Sequence, residues 1–430
     1  MIPPVRVAVA GLGTVGAGVL KLLRDQSEAL SQRSGRRFVV TAVSAREKAK
    51  DRGVDLSAVR WYRDAVAMAA DPDVDVVVEL IGGSDGPAKD LCEAAIANGR
   101  HIVTANKALI AHHGAELARK ADEAGVALAF EAAVAGGIPV LKGIREGLAA
   151  NKFSTVVGIL NGTCNYILSE MRDTGREFAE VLAEAQKLGY AEADPSFDID
   201  GVDAAHKLAI LAALAFNAQV DFDAVHVEGI RNVSAIDIAY ADELGFRIKL
   251  LGLARRQPSG LDLRVHPCMV PAAAPIASVE GVFNAVVTEG DFVDRVMMVG
   301  RGAGAGPTAS AVVADLVDIA RGCRAPAFGV STSSLSVLPT LPVERRHGAY
   351  YVRLMVVDRP GVIADITATM RDQNVSVESF LQRGRSPGDA VPVVITTHET
   401  DEDAMMRVLD GIAALDAVLE PPHVIRIEPF

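Results

Sequence analysis

The chain has 430 residues, of which 50% are hydrophobic and 23% are charged, and its formal net charge is −12. This composition is typical of folded proteins, and the length is sufficient for two or three domains of ordinary size. The negative net charge, in a chain without a long run of Lys or Arg, argues against nucleic acid and anionic membranes as partners, since both need positive charge to meet phosphate.

Neither the N-terminus nor the cysteines indicate export. Arg6 interrupts the first apolar run, which therefore does not resemble a signal peptide. The most apolar later stretch, residues 208–216, is far shorter than the roughly 20 residues needed to span a bilayer. The four cysteines are widely scattered and contain no C-x-x-C pair. We therefore expect a protein of the reducing cytoplasm.

The first 130 residues alternate short apolar runs with stretches of helical spacing. Val5–Ala10 is apolar and ends at a glycine, which predicts a buried strand, and the residues after it have the spacing of a helix. Later runs predict strands at 38–43, 74–80, 102–104 and 126–130, and helices at 88–98 and 108–124. Strands that alternate with helices predict an α/β fold, a parallel sheet with helices on both faces.

From about residue 135 the pattern changes to a mixture that predicts a second, α+β domain. Helices are predicted at 140–149, 178–188 and 202–216, and strands at 153–160 and 261–269. A further helical run at 307–321 follows a Gly-rich segment and is a candidate to return to the first domain.

The last 80 residues have the order β-α-β-β-α-β, which is one compact unit. Strands are predicted at 350–357, 375–382, 390–397 and 424–427. The second helix is predicted to begin at Thr400, with Asp403 three residues on as an N-terminal signal. We therefore expect one domain at 1–134 plus about 303–330, a second at 135–302, a linker at 331–349 and a third domain at 350–430.

Gly11, Gly13 and Gly16 form a G-x-G-x-x-G motif, together with Thr14 and Val15. The motif lies between a predicted strand and a predicted helix, where the glycines allow a tight turn, close approach of a pyrophosphate and close packing. The motif alone is weak, and a glycine turn between two packed elements is the alternative. Its position predicts dinucleotide binding.

The end of the second strand favours NADP over NAD. An NAD site usually has an acidic residue there, but this strand ends at Ser44 and is followed by Arg46. A hydroxyl and a guanidinium suit a 2′-phosphate. The alternative is that Arg46 is an ordinary solvated loop residue.

Lys107 follows the predicted strand at 102–104, in the segment T-A-N-K. Ligands of open α/β sheets bind at the carboxyl ends of the strands, so this lysine is placed to face a cofactor. On local grounds a surface lysine at the start of a helix is the alternative.

An acidic segment precedes the helix predicted at 202–216, which is apolar almost all round. Asp203 and Lys207 are four residues apart and share one face of that helix. A lysine on an apolar face is costly unless it is paired, so the two are predicted partners and Lys207 is a candidate acid/base catalyst. A structural salt bridge is the alternative. His206 lies off that face and is expected to be solvated or capped. No His has a convincing spacing for a catalytic divalent metal.

Cys164 raises a different chemistry, the reduction of an acyl phosphate through a thioester. That reaction needs a thiolate and a nearby base, and no His lies close to Cys164 in the sequence. We therefore favour a small buried hydrophobe at this position.

Seven segments in order and spacing resemble the homoserine dehydrogenase family, over roughly residues 5–335. They are G-L-G-T-V-G, V-V-V-E-L-I-G-G, T-A-N-K-A-L, E-A-A-V-A-G-G-I-P, N-G-T-C-N-Y-I-L, residues 189–207, and G-A-G-A-G-P-T-A-S-A-V. The last 80 residues resemble an ACT domain, with D-R-P-G-V as its loop. The resemblance implies a Rossmann-type NADP-binding domain, an α+β catalytic and dimerisation domain, and a ferredoxin-like ACT regulatory domain.

The resemblance also implies roles for individual residues. Lys207 would be the general acid/base, supported by Asp203 and Lys107. The implied substrate contacts are Glu192, Asp198 and Asp203. The implied cofactor contacts are the glycine loop, Lys107, Gly189 and Gly304. The family also binds a structural monovalent cation, usually sodium, and the implied ligands, mainly backbone carbonyls, are Glu131, Val134, Gly136 and Ile138.

The implied activity is the NAD(P)-dependent interconversion of L-aspartate 4-semialdehyde and L-homoserine, in threonine, methionine and isoleucine biosynthesis. The implied partners are the small-molecule substrate, an amino-acid effector at the ACT domain, most often threonine, and further copies of the chain in a dimer or tetramer. A dimerisation module that has lost its ligand is the alternative for the ACT unit. Two other functions stay open: an acyl-phosphate reductase, and an amino-acid sensor with an inactive dehydrogenase domain.

Overall fold

A six-stranded parallel sheet forms the first unit in a computed structural model, which describes residues 2–219, 221–383 and 389–430. From edge to edge the strands are Arg60–Tyr62, Phe38–Ser44, Val5–Ala10, Val76–Glu79, His101–Thr104 and Leu128–Ala129. The strand order reverses at Val5–Ala10, and a doubly wound sheet binds its ligands at such a switch point. The α-helices of this unit are Thr14–Asp25, Ser27–Ser34, Pro87–Ala97 and Lys107–Ala124, with 3-10 turns at Val66–Ala70 and Glu131–Ala133.

The predicted strands of this sheet form because helices cover both of its faces. Val76, Val77 and Val78 are all fully buried, which is the pattern of a parallel strand between two helical layers. The edge strand Arg60–Tyr62 was not predicted, since it has three residues and a polar first position. Its neighbour along the sheet, rather than its own sequence, determines its conformation.

The helix Ala305–Arg321 packs against the first helix of the chain, Thr14–Asp25. The two backbones approach so closely that a Cβ atom on Gly18 would lie 2.9 Å from the carbonyl oxygen of Ala305. Val312 and Leu316 are buried in the same hydrophobic cluster as the first strand. The chain therefore leaves the parallel sheet after its sixth strand and comes back to it far later.

The second unit is built on an antiparallel sheet with helices packed against it. Its strands follow the order Asp294–Arg301, Phe283–Gly290, Phe153–Ile159, Phe246–Gln257 and Gly260–Pro271, with His226–Val227 beside the last one. Its helices are Val140–Lys142, continued by the π-helix Gly143–Gly147, then Gly162–Thr174, Phe178–Lys187, Ser196–Ile199, Val202–Phe216 and Ala235–Glu243. Short segments complete it, with 3-10 turns at Phe222–Ala224 and Pro275–Ser278 and a small parallel pair of Ala218–Gln219 with Ser336–Val337.

The helix Val202–Phe216 lies in the interior of this unit. Each of its residues from Asp203 to Phe216 is buried, as its apolar character on all sides predicts. The helix packs against the strand Phe246–Gln257 and against the helix Lys107–Ala124 of the first unit. Its first turn therefore lies where the two units meet.

The C-terminal unit has the predicted β-α-β-β-α-β order. Its strands are His347–Val357, Val377–Gln382, Ala390–Thr397 and His423–Ile427, its helices are Val362–Asp372 and Glu402–Ala413, and a 3-10 turn at Thr332–Ser334 and another at Val343–Arg345 precede it. The prediction that the second helix begins at Thr400 is wrong. Thr400 and Asp401 pair with His347 and Gly348, and this pairing keeps Thr400 extended so that the helix begins at Glu402.

One sheet joins the C-terminal unit to the second unit. The strand His423–Ile427 pairs in parallel with Gly260–Pro271, with Cys268 opposite Arg426 and Met269 opposite Ile427. The whole sheet has 11 strands. Among the helices of the described residues, none combines the length and the apolar character that crossing a bilayer requires.

Buried ion pairs cross the same boundary. Asp237 of the second unit is fully buried and accepts hydrogen bonds from Arg353 Nε at 2.7 Å and from Tyr351 Oη at 3.0 Å. Burial alone would raise the pKa of Asp237, but the hydrogen bonds and charges of His423 and Arg353 bring it well below its ordinary value. Asp237 is therefore an ionised carboxylate that ties the two units together.

We expect Asp237→Asn to reduce the free energy of unfolding by about 3–5 kcal/mol, since it leaves the buried Arg353 without its counter-charge. The matched control is Asp242→Asn, whose pair with Arg247 is partly exposed and should contribute less than about 1 kcal/mol. Denaturant unfolding at neutral pH measures both. Because the pKa of Asp237 is lowered in the folded state, its contribution should decline as the pH falls below about 4. Equal small losses in both variants would contradict the ion-pair interpretation.

Candidate active site

A cavity of about 610 Å³ lies between the first and second units, at the carboxyl edge of the parallel sheet. Nine of the residues predicted for the site line it, and they are Val15, Lys107, Gly136, Gly189, Glu192, Asp198, Asp203, Lys207 and Gly304. Eight others lie outside its lining, and they are Gly11, Gly13, Thr14, Gly16, Arg46, Glu131, Val134 and Ile138. The structure thus brings every residue predicted to contact the substrate into one space.

The three glycines of the first loop differ in what surrounds them. Gly11 has φ +93°, and a Cβ atom there would lie 2.3 Å from the carbonyl oxygen of Leu80. A Cβ atom on Gly16 would lie 2.0 Å from the carbonyl oxygen of Gly11. A Cβ atom on Gly13 would meet nothing within 4 Å, and no side chain caps the helix that follows. Gly13 therefore leaves open space beside the uncapped N–H groups of the helix, an arrangement that suits a pyrophosphate.

A buried carboxylate that we did not single out holds the segment of the cavity wall beside the glycine loop. Glu79 accepts hydrogen bonds from the backbone N–H of Ile81 at 2.6 Å and of Gly82 at 3.2 Å. It also accepts one from the hydroxyl of Thr104 at 2.5 Å. The sequence signal for Glu79 was an acidic residue at the end of a fully apolar strand. A carboxylate buried there needs hydrogen-bond donors close by.

Two arginines lie near the end of the second strand. Arg46 is exposed and lies two residues after the strand Phe38–Ser44. Arg52, which we did not single out, lies over the Trp61 ring with its guanidinium carbon 5.5 Å from the ring centroid. Its Nε donates to the carbonyl oxygen of Leu12, inside the glycine loop, at 3.2 Å. Positive charge thus flanks the glycine loop. The contact of Arg52 with Leu12 could not be predicted from the spacing of the sequence.

Lys207 and Asp203 form the predicted pair in the first turns of the buried helix. The Nζ atom of Lys207 lies 2.8 Å from Oδ2 of Asp203 and donates to the carbonyl oxygen of Leu160 at 2.7 Å. Both side chains are at least 89% buried. An ammonium group has three hydrogens, and among the described residues these two acceptors engage two of them. The third is available to an acceptor in the cavity that Lys207 lines.

Lys107 reaches the same carboxylate from the first unit. Its Nζ atom lies 3.2 Å from Oδ1 of Asp203 and 5.2 Å from the centroid of the Phe197 ring. Lys107 is the first residue of its helix, which the side chain of Asn106 caps. Burial alone would raise the pKa of Asp203, but the charges of Lys207 and Lys107 outweigh burial and lower it to about 2. Asp203 is therefore ionised, and it is shared by two lysines.

Asp198 and Glu192 differ in their surroundings. Asp198 is half-buried, and burial together with the charge of Asp203 raises its pKa. Glu192 is exposed at the rim of the cavity. Gly189, three residues before Glu192, has φ +76°, a backbone conformation that favours glycine. The acidic segment therefore presents one deep and one open carboxylate to the cavity.

His206 is not solvated, contrary to one of the two surroundings expected for it. It is 4% exposed, its Nδ1 lies 3.0 Å from the carbonyl oxygen of Val202, and its ring stacks on Phe222 at 4.1 Å between centroids. Burial and the neighbouring His112 lower its pKa to about 4. The solvated alternative is wrong because Phe222, which covers the ring, comes from a later segment that the helical pattern does not show.

Cys164 is a buried thiol rather than a nucleophile. Burial raises its pKa well above the ordinary value, and the charges of Asp198 and Asp203 add to that effect. Its Sγ atom donates to the carbonyl oxygen of Asp198 at 3.2 Å. A thiol held in this way carries no thiolate for thioester chemistry.

The segment proposed for a monovalent cation forms a buried turn. The carboxylate of Glu131 is already engaged by the backbone N–H groups of Leu141 at 3.0 Å and Lys142 at 2.9 Å. A Cβ atom on Gly136 would lie 2.4 Å from the carbonyl oxygen of Gly302, so the turn needs glycine there. Backbone oxygens are what remain for a cation, and hard cations prefer oxygen ligands. An ion in this turn would therefore be held by backbone oxygens rather than by the carboxylate of Glu131.

The described residues contain one group of metal-ligating side chains in close proximity, His266, Cys268 and Glu428. It lies at the boundary with the C-terminal unit and does not line the cavity. The carboxylate of Glu428 already faces the guanidinium groups of Arg255 and Arg346, at 2.6 Å and 3.1 Å. The carboxylate of this cluster is consequently part of an ion-pair network with two arginines.

A doubly wound sheet with an open glycine loop, and a cavity in which lysines converge on one carboxylate, define a dinucleotide-dependent oxidoreductase. Family models support this class along most of the chain. The model of the homoserine dehydrogenase NAD-binding domain matches residues 11–131, the homoserine dehydrogenase model matches residues 139–317, and the ACT domain model matches residues 350–414.

Full-length relatives agree with these models. The chain is 48% identical to the homoserine dehydrogenase of Pseudomonas aeruginosa and 46% identical to that of Neisseria gonorrhoeae, with 99% of each chain covered. The crystal structure of a homoserine dehydrogenase from Thiobacillus denitrificans superposes with a TM-score of 0.93 at 46% identity, over 99% of this chain and 98% of that one. The chain belongs to the homoserine dehydrogenase family, and it is an NAD(P)-dependent oxidoreductase with an ACT regulatory domain.

We expect Gly13→Ala to weaken NADP(H) binding by about tenfold, or about 1.4 kcal/mol, while the thermal midpoint stays unchanged. The added methyl would occupy only open space in the free protein, but it would stand where a pyrophosphate must approach. Gly11→Ala is the matched variant, because its methyl would clash with Leu80 and should lower the thermal midpoint. Fluorescence titration and thermal unfolding distinguish the two. Unchanged cofactor affinity in Gly13→Ala would contradict this binding position.

Proposed function

We propose that the chain interconverts L-aspartate 4-semialdehyde and L-homoserine, with NADP(H) as the preferred cofactor and NAD(H) as the alternative. The observation that carries this proposal is the contact of Asp203 with both Lys207 and Lys107 inside the cavity. We further propose a place for this reaction in threonine, methionine and isoleucine biosynthesis, in the cytoplasm. The domain limits given above, 1–134 with about 303–330, 135–302 and 350–430, belong to the same proposal.

Lys207 is the general acid in this proposal. When bound, the reduced nicotinamide supplies a hydride to the aldehyde carbon. The alkoxide that develops needs a positive charge and a proton, and the third hydrogen of the Lys207 ammonium meets both needs. Asp203 and Leu160 hold the other two hydrogens and so orient that group. In the reverse direction the neutral lysine accepts the proton from homoserine.

Lys107 and the acidic residues position the substrate in this proposal. Lys107 stands across Asp203 from Lys207 and polarises the carbonyl from its other side. Glu192 and Asp198 suit the substrate ammonium, because both are carboxylates that line the cavity. An acceptor for the ammonium and a donor for the carbonyl in one cavity suit a bifunctional amino-acid substrate.

The preference for NADP rests on the positive charge near the end of the second strand. Arg46 and Arg52 both follow a strand that ends in Ser44 rather than in a carboxylate. A guanidinium group matches the geometry of a phosphate. The remaining cofactor contacts in this proposal are Thr14, Val15, Gly189 and the others of the glycine loop, with Gly304 at the start of the returning helix.

A monovalent cation, sodium, belongs to this proposal as a structural ion. Its ligands would be backbone oxygens of Glu131, Val134, Gly136 and Ile138, and it would stabilise the turn beside Gly302. No step of the reaction passes through this ion.

We also propose threonine as the effector of the ACT domain, and a dimer or a tetramer as the assembly.

Replacing Lys207 tests the acid/base assignment. We expect Lys207→Ala to reduce turnover by about 10²–10⁴-fold, the usual contribution of general acid/base catalysis. Lys187→Ala, an exposed lysine at the end of a neighbouring helix, is the control and should keep full turnover. Near-normal turnover of a folded Lys207→Ala protein would rule out this role.

The reaction itself is tested by absorbance at the reduced-nicotinamide band, with homoserine and either NADP or NAD. We expect reduction of both, faster with NADP because of the arginines near Ser44. Addition of threonine should lower the rate. A protein that binds threonine but reduces neither nucleotide would instead be a sensor with an inactive dehydrogenase domain.

A further inference from the structure

We propose that Asn161 is a positioning residue, which holds the two active-site carboxylates Asp198 and Asp203 in place through its side-chain amide. The proposal deepens the proposed function, on which it rests, because those carboxylates are the ones assigned there to the substrate and to Lys207. Asn161 is 4% exposed and lines the cavity.

The amide nitrogen of Asn161 bridges the two carboxylates. Its Nδ2 atom donates to Oδ1 of Asp198 at 2.8 Å and to Oδ2 of Asp203 at 2.7 Å. An amide nitrogen carries two hydrogens, so each carboxylate receives one and none remains. The same Oδ2 atom of Asp203 accepts from Lys207. Asn161 therefore acts on the catalytic lysine through Asp203.

The helix that follows Asn161 determines which way the amide faces. Its Oδ1 atom accepts a hydrogen bond from the backbone N–H of Cys164 at 2.8 Å and so caps the helix Gly162–Thr174. In the flipped orientation, an amide oxygen would face two carboxylates and an amide nitrogen would face an N–H group. Both contacts would be repulsive, so the flipped orientation is disfavoured. A rigid element of the fold thus fixes the donor in front of the site.

The bridge matters because the two carboxylates repel each other. Burial and the charge of Asp203 already raise the pKa of Asp198, and the hydrogen bond from Asn161 opposes that rise. The other charges facing the pair are the ammonium groups of Lys207 and Lys107, which also lower the pKa of Asp198. Loss of the amide would favour protonation or displacement of one carboxylate, and the substrate ammonium would lose its partner.

The decisive variant is Asn161→Asp, which keeps an oxygen to cap the helix but replaces the donor with a third carboxylate. We expect kcat/KM for homoserine to fall by about 10²-fold, the usual effect of a misplacement of about 1 Å. The KM for homoserine should rise while the Kd for NADP(H) stays within about twofold. The acidic limb of the pH profile of kcat/KM should move up by about one pH unit, because a neighbouring like charge raises a carboxylate pKa.

Ser234→Ala is the control for the loss of a helix cap outside the cavity, and it also removes a hydrogen bond to the buried Asp237. Ser234 caps the helix Ala235–Glu243 away from the cavity, so its removal should lower the thermal midpoint and leave the pH profile unchanged. If Asn161→Asp behaves in this way, or leaves both KM and the acidic limb unchanged, the positioning role is overturned. Asn161→Ser retains a cap but cannot bridge both carboxylates, so it should also raise the KM for homoserine. With this second variant the test does not depend on Asn161→Asp alone.

The Asn161 test and the Lys207 test fail separately. If Lys207→Ala is fully active while Asn161→Asp still raises the KM for homoserine and shifts the acidic limb, the acid/base assignment falls and the positioning role survives. If Lys207→Ala is inactive and Asn161→Asp is unchanged, the proposed reaction stands and the role of Asn161 is overturned.

Discussion

Asp203 is a buried carboxylate, and the arrangement of the cavity depends on how its charge is balanced. Removal of such a group from water costs several kcal/mol, whereas one ion pair at 4 Å returns about 4 kcal/mol at an effective dielectric constant of 20. A single lysine would barely offset the burial. Asp203 has Lys207 and Lys107 as well as Asn161, and its lowered pKa shows that these partners prevail. Because Lys107 belongs to the first unit and Lys207 to the second, this balance also brings the two units together.

The sequence was sufficient for the part of the site that is local. The i,i+4 spacing of Asp203 and Lys207 predicted their pairing, and the apolar character of the surrounding helix predicted its burial. The order of strands and helices along the chain was enough to predict the glycine loop and the parallel sheet. The contacts of Lys107 and Asn161 with Asp203 could not be predicted in this way, because they join segments that are distant in the chain and depend on how two units pack.

The fold shows the same division between local and distant information. Five strands of the parallel sheet and the elements of the C-terminal unit could be predicted from apolar runs and their spacing, because an apolar run indicates that its own residues are buried. The hairpin formed by Phe283–Gly290 and Asp294–Arg301 was not predicted, because the apolar runs within its strands are only three and four residues long and its second strand is partly exposed. The error at Thr400 has a related cause, since pairing with His347 and Gly348 overrode a local capping pattern.

The sheet that continues from Gly260–Pro271 into His423–Ile427 has a consequence for any attempt to separate the ACT unit. A chain truncated before His347 would present Cys268 and Met269 on an unpaired strand edge, which is a surface prone to aggregation. It would also lack Arg353 and Tyr351, the partners of Asp237 in the C-terminal unit. The ACT unit is therefore a piece of the catalytic scaffold as well as a regulatory domain, and it is not a detachable module.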